Sequence, residues 1–332
     1  MQTASTSADL LHATGSTQPP ATARAWGKVI LLGEHAVVYG LPALAVGIDR
    51  GATAWVTPAG GAVHVLEVAA WNVRVDENDT STDLGRAFSA LLVASRAFPD
   101  AVVHRFPVMV SANPELPPGG GLGCSAALGV AVAKALVPSL DAAGAAEMSM
   151  AWERVFHGNP SGIDAAVAAR GGSILFEKGQ SMQAVAVPRA LTVCLGSTGV
   201  ASSTKTMVEN VARLRERKPA MVEKAFVGIG SLVRNARHAL EAGDYVGLGK
   251  LMDLNQMILS GLFLSTEQIE RLCGSAREAG ALGAKLTGAG GGGSVVALAP
   301  DATHAARIVL GWQGAGFTGF IAEVGASAEA SP

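Results

Sequence analysis

Residues Pro114–Leu136 read PELPPGGGLGCSAALGVAVAKAL, and the fold turns on this stretch. Pro117 and Pro118, then Gly119, Gly120, Gly121 and Gly123, break regular structure. From Ser125 to Leu136 the small apolar residues predict a helix that is apolar on most faces and therefore buried. A glycine loop opening onto a helix lets backbone N–H groups come close to an anion. One reading is a phosphate cradle; the other is a tight turn before a core helix. The local residues leave both open.

Familiar phosphate motifs fit poorly. There is no G-x-x-x-x-G-K-[ST]. Gly121 to Ala126 satisfies G-x-G-x-x-A, with Asp141 at a distance suited to a ribose contact. A dinucleotide fold is still rejected, because the preceding strand ends near Ser111 and a proline-rich gap follows it. Pro138 also spoils a second strand before Asp141. A second glycine run, Gly288-Ala289-Gly290-Gly291-Gly292-Gly293, matches G-x-G-x-x-G but leads into the strand-like SVVALA rather than a helix. Its bland reading is a flexible hairpin.

Working outward, residues 27–57 read as successive strands, and AVHVLEV, WNVRV and AVVHRFPVMVS continue the pattern. Apolar spacing predicts helices over 83–98, 142–156 and 165–170. Residues 172–176 and 191–195 read as strands. The second half changes character, with helices over 204–217, 222–242, 245–260 and 266–279. A strand–glycine loop–strand unit, a helix over 304–313 and a last strand follow. Strands first, then helices with a few strands, give an α+β class. The expected divisions are a disordered leader over 1–23, one domain over 24–183 and a second over 184–328.

The chain has 332 residues, 49% of them apolar, and a net charge of −2. That is ample for a core and offers no basic field for nucleic acid or an anionic membrane. Three dispersed cysteines without a CxxC read as reduced thiols of an intracellular, cytoplasmic protein. The seven histidines form no HExxH. The leader lacks the charged and apolar segments of a secretory signal, and no apolar run is long enough to span a membrane.

The stretch HGNPSGIDAAV, His157–Val167, poses a sharper question. Ser161 and Asp164 form an S-x-x-D pattern at a helix start, which is most often a capping box. Asp164 also reads as a carboxylate aimed at a substrate. The two uses are compatible, since a capped helix start holds its carboxylate rigidly.

Four segments in order resemble the GHMP small-molecule kinases: GKVILLGEHAVVYG (27–40), PPGGGLGCSAA (117–127), ERVFHGNPSGID (153–164) and KLTGAGGGG (285–293). The resemblance spans nearly the whole chain beyond the leader. It implies a two-domain GHMP kinase fold, with a first domain like ribosomal protein S5 domain 2 and a ferredoxin-like second domain. It implies ATP and Mg²⁺, and phosphorylation of the C5 hydroxyl of mevalonate, a step toward isoprenoids.

By the same resemblance, Asp164 is the catalytic base and Lys28 the cation beside the reacting hydroxyl. Pro118, Gly119, Gly120, Gly121, Leu122, Gly123, Cys124 and Ser125 form the nucleotide loop. Ser125 and Glu153 ligate the metal. Glu34, His35, Thr198, Gly288 and Ala289 line the acceptor site. Two residues depart from the family: Cys124 replaces a serine, and Trp26 stands where proline is common.

Taken one at a time, the residues have plainer uses. Ser125 reads as a helix cap, Glu153 as an exposed helical residue, Lys28 as a surface lysine and His157 as a side chain bonding the turn. Met148, Met150, Met252 and Met257 read as core, and Arg213, Arg215, Arg217 and Lys218 as a solvated helix end. Rival readings are a kinase of the same family with another acceptor, such as phosphomevalonate, another hydroxyl of mevalonate or a sugar, and a nucleotide-binding protein without turnover. The oligomeric state, a homodimer included, stays open.

Overall fold

The computed structural model describes residues 22–158, 160, 162–177 and 182–325. The expected leader, up to residue 21, therefore lies outside the described residues, as do Asn159 and Ser161.

The first half runs β1 (Ala23–Leu32), β2 (Ala43–Pro58), β3 (Val65–Val68), β4 (Val73–Asp76), α1 (Asp83–Ser95), β5 (Val108–Pro114), α2 (Cys124–Leu136), α3 (Ala142–His157), α4 (Ile163–Arg170), β6 (Ser173–Phe176) and β7 (Gln183–Val185). The second half is β8 (Leu191–Ser197), α5 (Thr204–Arg217), α6 (Pro219–Glu241), α7 (Tyr245–Gly261), α8 (Glu267–Glu278), β9 (Gly283–Thr287), β10 (Ser294–Ala299), α9 (Ala302–Gly314) and β11 (Thr318–Val324). The strand expected over AVVHRFPVMVS begins only at Val108, because Val102–His104 forms a 3₁₀ turn.

One mixed sheet joins the halves, in the order β4-β3-β5-β2-β11-β8-β10-β9, with β1 and β6 also on β2. In the second half the antiparallel order β11-β8-β10-β9, with helices after β8 and β10, is the ferredoxin-like arrangement. β2 is the shared strand. It pairs with β6 at its start, β1 along its middle and β5 at its end, and meets β11 where Ile48 faces Val324. Gly51 permits this crowding, since a Cβ there would stand 2.0 Å from the Ala25 carbonyl oxygen.

Two large cores follow. Phe88, Leu91 and Leu92 of α1, the small residues of α2 and Trp152 of α3 close the first against the sheet. The second takes Val29, Leu31, Leu44 and Ile48 from β1 and β2 together with α6, α7, α8, α9 and the ferredoxin-like strands. The division expected at 183–184 falls within β7, which pairs with β6. We propose drawing it between β7 and β8, where no strand crosses.

Helix starts separate into two kinds. Side chains cap α1, α3, α5, α7, α8 and α9: Thr82, Asp141, Ser203, Asp244, Thr266 and Asp301 each accept from a first-turn N–H. By contrast, α2 and α4 begin after Gly123 and Gly162, both at positive φ, with no side-chain cap. α6 is also uncapped and starts at Pro219, which has no N–H.

Candidate active site

The uncapped start of α2 sits under the first glycine loop. Gly119, Gly121 and Gly123 have φ of 74°, 73° and 73°, a region other residues rarely adopt. The loop is pinned from two sides. The Lys28 N–H of β1 donates to the Leu122 carbonyl at 2.8 Å, and the Ser294 hydroxyl of β10 donates to the Gly120 carbonyl at 2.8 Å. The second glycine run lies against it, with Gly288 Cα 3.9 Å from where a Gly121 Cβ would stand. The first N–H groups of α2 thus lack a side-chain partner at the end of a fixed loop, an arrangement that suits an anion.

On α2 the Ser125 hydroxyl donates to Glu153 Oε1 at 2.8 Å. Glu153 comes from α3 and is only 3% exposed, so its expected exposed-helix alternative fails. Burial raises its carboxyl above the ordinary value, with Asp164 adding to the effect and the Ser125 bond, His157 and Lys28 opposing it. His157 Nε2 lies 3.7 Å from Glu153 Oε2. A buried, costly carboxylate beside a hydroxyl is a hard-oxygen pair that fits Mg²⁺, which takes few protein ligands and keeps waters and phosphate oxygens. Among the described residues no cluster of three or more His, Cys, Asp or Glu could hold a metal by itself.

Lys28 and Asp164 meet across the chain, with Nζ 2.9 Å from Oδ1. The lysine side chain is 6% exposed and the aspartate 40%, so the pair faces outward through its carboxylate. Asp164 is the second residue of α4, whose N-cap position is held by Gly162 without a side-chain bond. The capping role expected of Ser161 lies outside the described residues. Lys28 is buried rather than a surface lysine.

The residues expected to line the acceptor site are held by bonds within the protein. Glu34 is buried, with one oxygen bound by Lys285 Nζ and the other receiving the Asn255 amide at 3.1 Å. Lys285 is fully buried and also donates to the Leu286 carbonyl; burial lowers its ammonium pKa, and Glu34 opposes that shift. His35, at φ 60°, bonds the Ala289 carbonyl through Nε2 at 2.8 Å, and its Nδ1 is buried without a partner. Thr198 spends its hydroxyl on the Gly293 carbonyl at 3.0 Å. Gly288 begins the run of positive-φ glycines that only such residues follow without strain. Glu34, His35 and Ala289 are brought together; Thr198 holds the far end of the same loop.

Cys124 points its thiol at the Leu116 carbonyl, 3.4 Å away, and burial pushes it up to about 12. Trp26 packs on the Gly171 backbone, with Lys134 over its ring at 5.4 Å. Lys285, Asn255 and Trp152 were missed from sequence. Lys285 stands inside a quoted motif, and a lysine in a strand of apolar neighbours was the available signal.

Residues 86–172 match the N-terminal domain of the GHMP kinases, and residues 236–317 match their C-terminal domain. The chain belongs to the GHMP kinase family. Within it, the chain is 36% identical over 299 residues to the mevalonate kinase of Thermococcus onnurineus, covering 84% of this chain and 89% of that one. It is 32% identical to the mevalonate kinase of Aeropyrum pernix, covering 93% and 98%. It also superposes on the crystal structure of L. major mevalonate kinase in complex with R-mevalonate, with TM-score 0.79, 26% identity and coverage of 93% and 98%.

Proposed function

We propose that the protein transfers the γ-phosphoryl group of ATP to the C5 hydroxyl of mevalonate, giving 5-phosphomevalonate and ADP. The observation that carries this is the Lys28–Asp164 pair at 2.9 Å, assembled beside Ser125 and Glu153 from four separate elements. The mevalonate kinases among its relatives supply the acceptor.

The uncapped N–H groups of α2 and the loop 118–125 hold the phosphates. Ser125 and Glu153 hold Mg²⁺, which neutralises charge on the phosphates when bound. Lys28 stabilises negative charge growing on the acceptor oxygen and on the transferring group. As that oxygen bonds to phosphorus and the bond to ADP breaks, Asp164 accepts the hydroxyl proton. Such transfers pass through a loose transition state, so catalysis is chiefly placement and electrostatics. A base need not act early, which suits a carboxylate.

Glu34 supports His35 through the buried Lys285–Asn255 network, and the His35 Nδ1 lone pair accepts from an acceptor hydroxyl. Lys285 is fully buried and paired with Glu34, and Lys28 is committed to the reacting centre, so neither serves a second phosphate. This favours an unphosphorylated acceptor over phosphomevalonate. A cytoplasmic setting goes with three free, buried cysteines.

An ADP-release assay across mevalonate, phosphomevalonate, homoserine and galactose tests the reading. Turnover with mevalonate is expected; turnover confined to another acceptor would refute it.

A further inference from the structure

The Ser125 hydroxyl has a second partner that the proposed chemistry does not use. Trp152, fully buried on α3, donates its indole Nε1–H to Ser125 Oγ at 3.2 Å. An indole N–H can only donate, and a hydroxyl has one proton and two lone pairs. With its proton committed to Glu153 and one lone pair committed to Trp152, Ser125 keeps one lone pair for another partner. The rotamer and the direction of that lone pair are set before any ligand arrives.

The indole has a prepared seat. Gly129 lies one helical turn after Ser125 on α2, and a Cβ there would stand 2.7 Å from Trp152 Cδ1 and 3.2 Å from Nε1. Glycine in a buried helix interior is unfavourable relative to alanine. Here its absent side chain is the space that lets the ring lie against the helix, with its N–H at Ser125. Phe156 backs the ring at 5.7 Å between centroids.

We propose that Trp152, seated on Gly129, is a positioning residue that presets Ser125 as a ligand for the divalent cation of the nucleotide complex. The inference rests on Ser125 being a metal ligand. Partners that orient a metal ligand typically matter 10- to 100-fold in metal affinity.

The test is the affinity of Mn²⁺ for the protein–ADP complex, followed by electron paramagnetic resonance, in Trp152→Phe, Gly129→Ala, Ser125→Ala and the double variant Trp152→Phe/Ser125→Ala. Trp152→Phe removes the N–H and keeps most of the apolar volume; Gly129→Ala keeps the N–H and displaces it. Each is expected to weaken Mn²⁺ binding roughly 10-fold, and Trp152→Phe is expected to add nothing once Ser125 is alanine. A purely structural role would lower the melting temperature and leave Mn²⁺ affinity intact, overturning the proposal. So would additive effects in the double variant. If Ser125→Ala itself leaves Mn²⁺ affinity unchanged, the ligand assignment beneath the proposal falls instead.

Discussion

Lys28 and Asp164 are 136 positions apart in the chain, and their charged atoms meet at 2.9 Å with the amine buried and the carboxylate half open. β1 delivers the amine from inside the sheet, while α4 delivers the carboxylate at the first turn of a glycine-started helix. The carboxylate is therefore open to an incoming group while the amine stays fixed.

Asp164→Asn keeps the shape and removes the proton acceptor. Nucleotide affinity is expected to stay near that of the parent while kcat falls by roughly 10²–10⁴. Single-turnover kinetics with a nucleotide-binding titration checks this; a near-normal kcat would return Asp164 to a capping role.

Lys285→Met leaves Glu34 buried and unpaired. Breaking a buried pair by removing one partner costs about 3–5 kcal/mol, and the loop carrying His35 should loosen with it. Urea unfolding is expected to show the loss, and Lys285→Met/Glu34→Gln should recover part of it. No recovery would mean that Glu34 is not the group left stranded.

Burial lowers the His35 pKa below its ordinary 6.5, against the opposing effects of its Ala289 bond and Glu34. The unfolded chain then binds a proton more readily than the folded one. The stability linked to His35 is complete above 6.5 and is lost as the pH falls through the interval below it. Melting temperatures between pH 7.5 and 5 should therefore drop less steeply in His35→Gln than in the parent. His64 shifts the same way and is common to both proteins. Equal slopes would count against the buried neutral imidazole.

Cys124→Ser restores the residue usual in the family. The thiol faces the Leu116 carbonyl, and the loop is held by the Lys28–Leu122 and Ser294–Gly120 bonds. On the proposed reading, in which the loop backbone holds the phosphates, KM for ATP is expected to be unchanged. A marked fall in KM would show that a hydroxyl at this position contacts the nucleotide.

The glycine loop, its buried helix and the α+β order were legible because they rest on local rules, namely glycine conformations and apolar spacing. β7 was not, being three residues long and mostly exposed. Met148 and Met252 are core as expected, but Met257 is 69% exposed, since its helix turns that face outward. The basic run over 213–218 is solvent-facing as expected, although Arg215 also sits over the Tyr39 ring at 4.9 Å. The bond from the Thr198 hydroxyl to the Gly293 carbonyl was not legible, because it joins positions 95 residues apart. Nor was the pairing of both Glu34 oxygens with Lys285 and Asn255, whose elements lie far along the chain.

By itself, the chain's order of residues determined the elements, the glycine turns and the four motifs, because each is a property of neighbours along the backbone. Only the tertiary structure decided which charges and hydrogen-bonding groups are paired. Lys28 with Asp164, Lys285 with Glu34 and Trp152 with Ser125 come from separate elements, and packing sets their distances and their access to water. Whether a lysine or glutamate is a solvated ornament or a costly buried charge depends on that packing, because desolvation and pairing act through space.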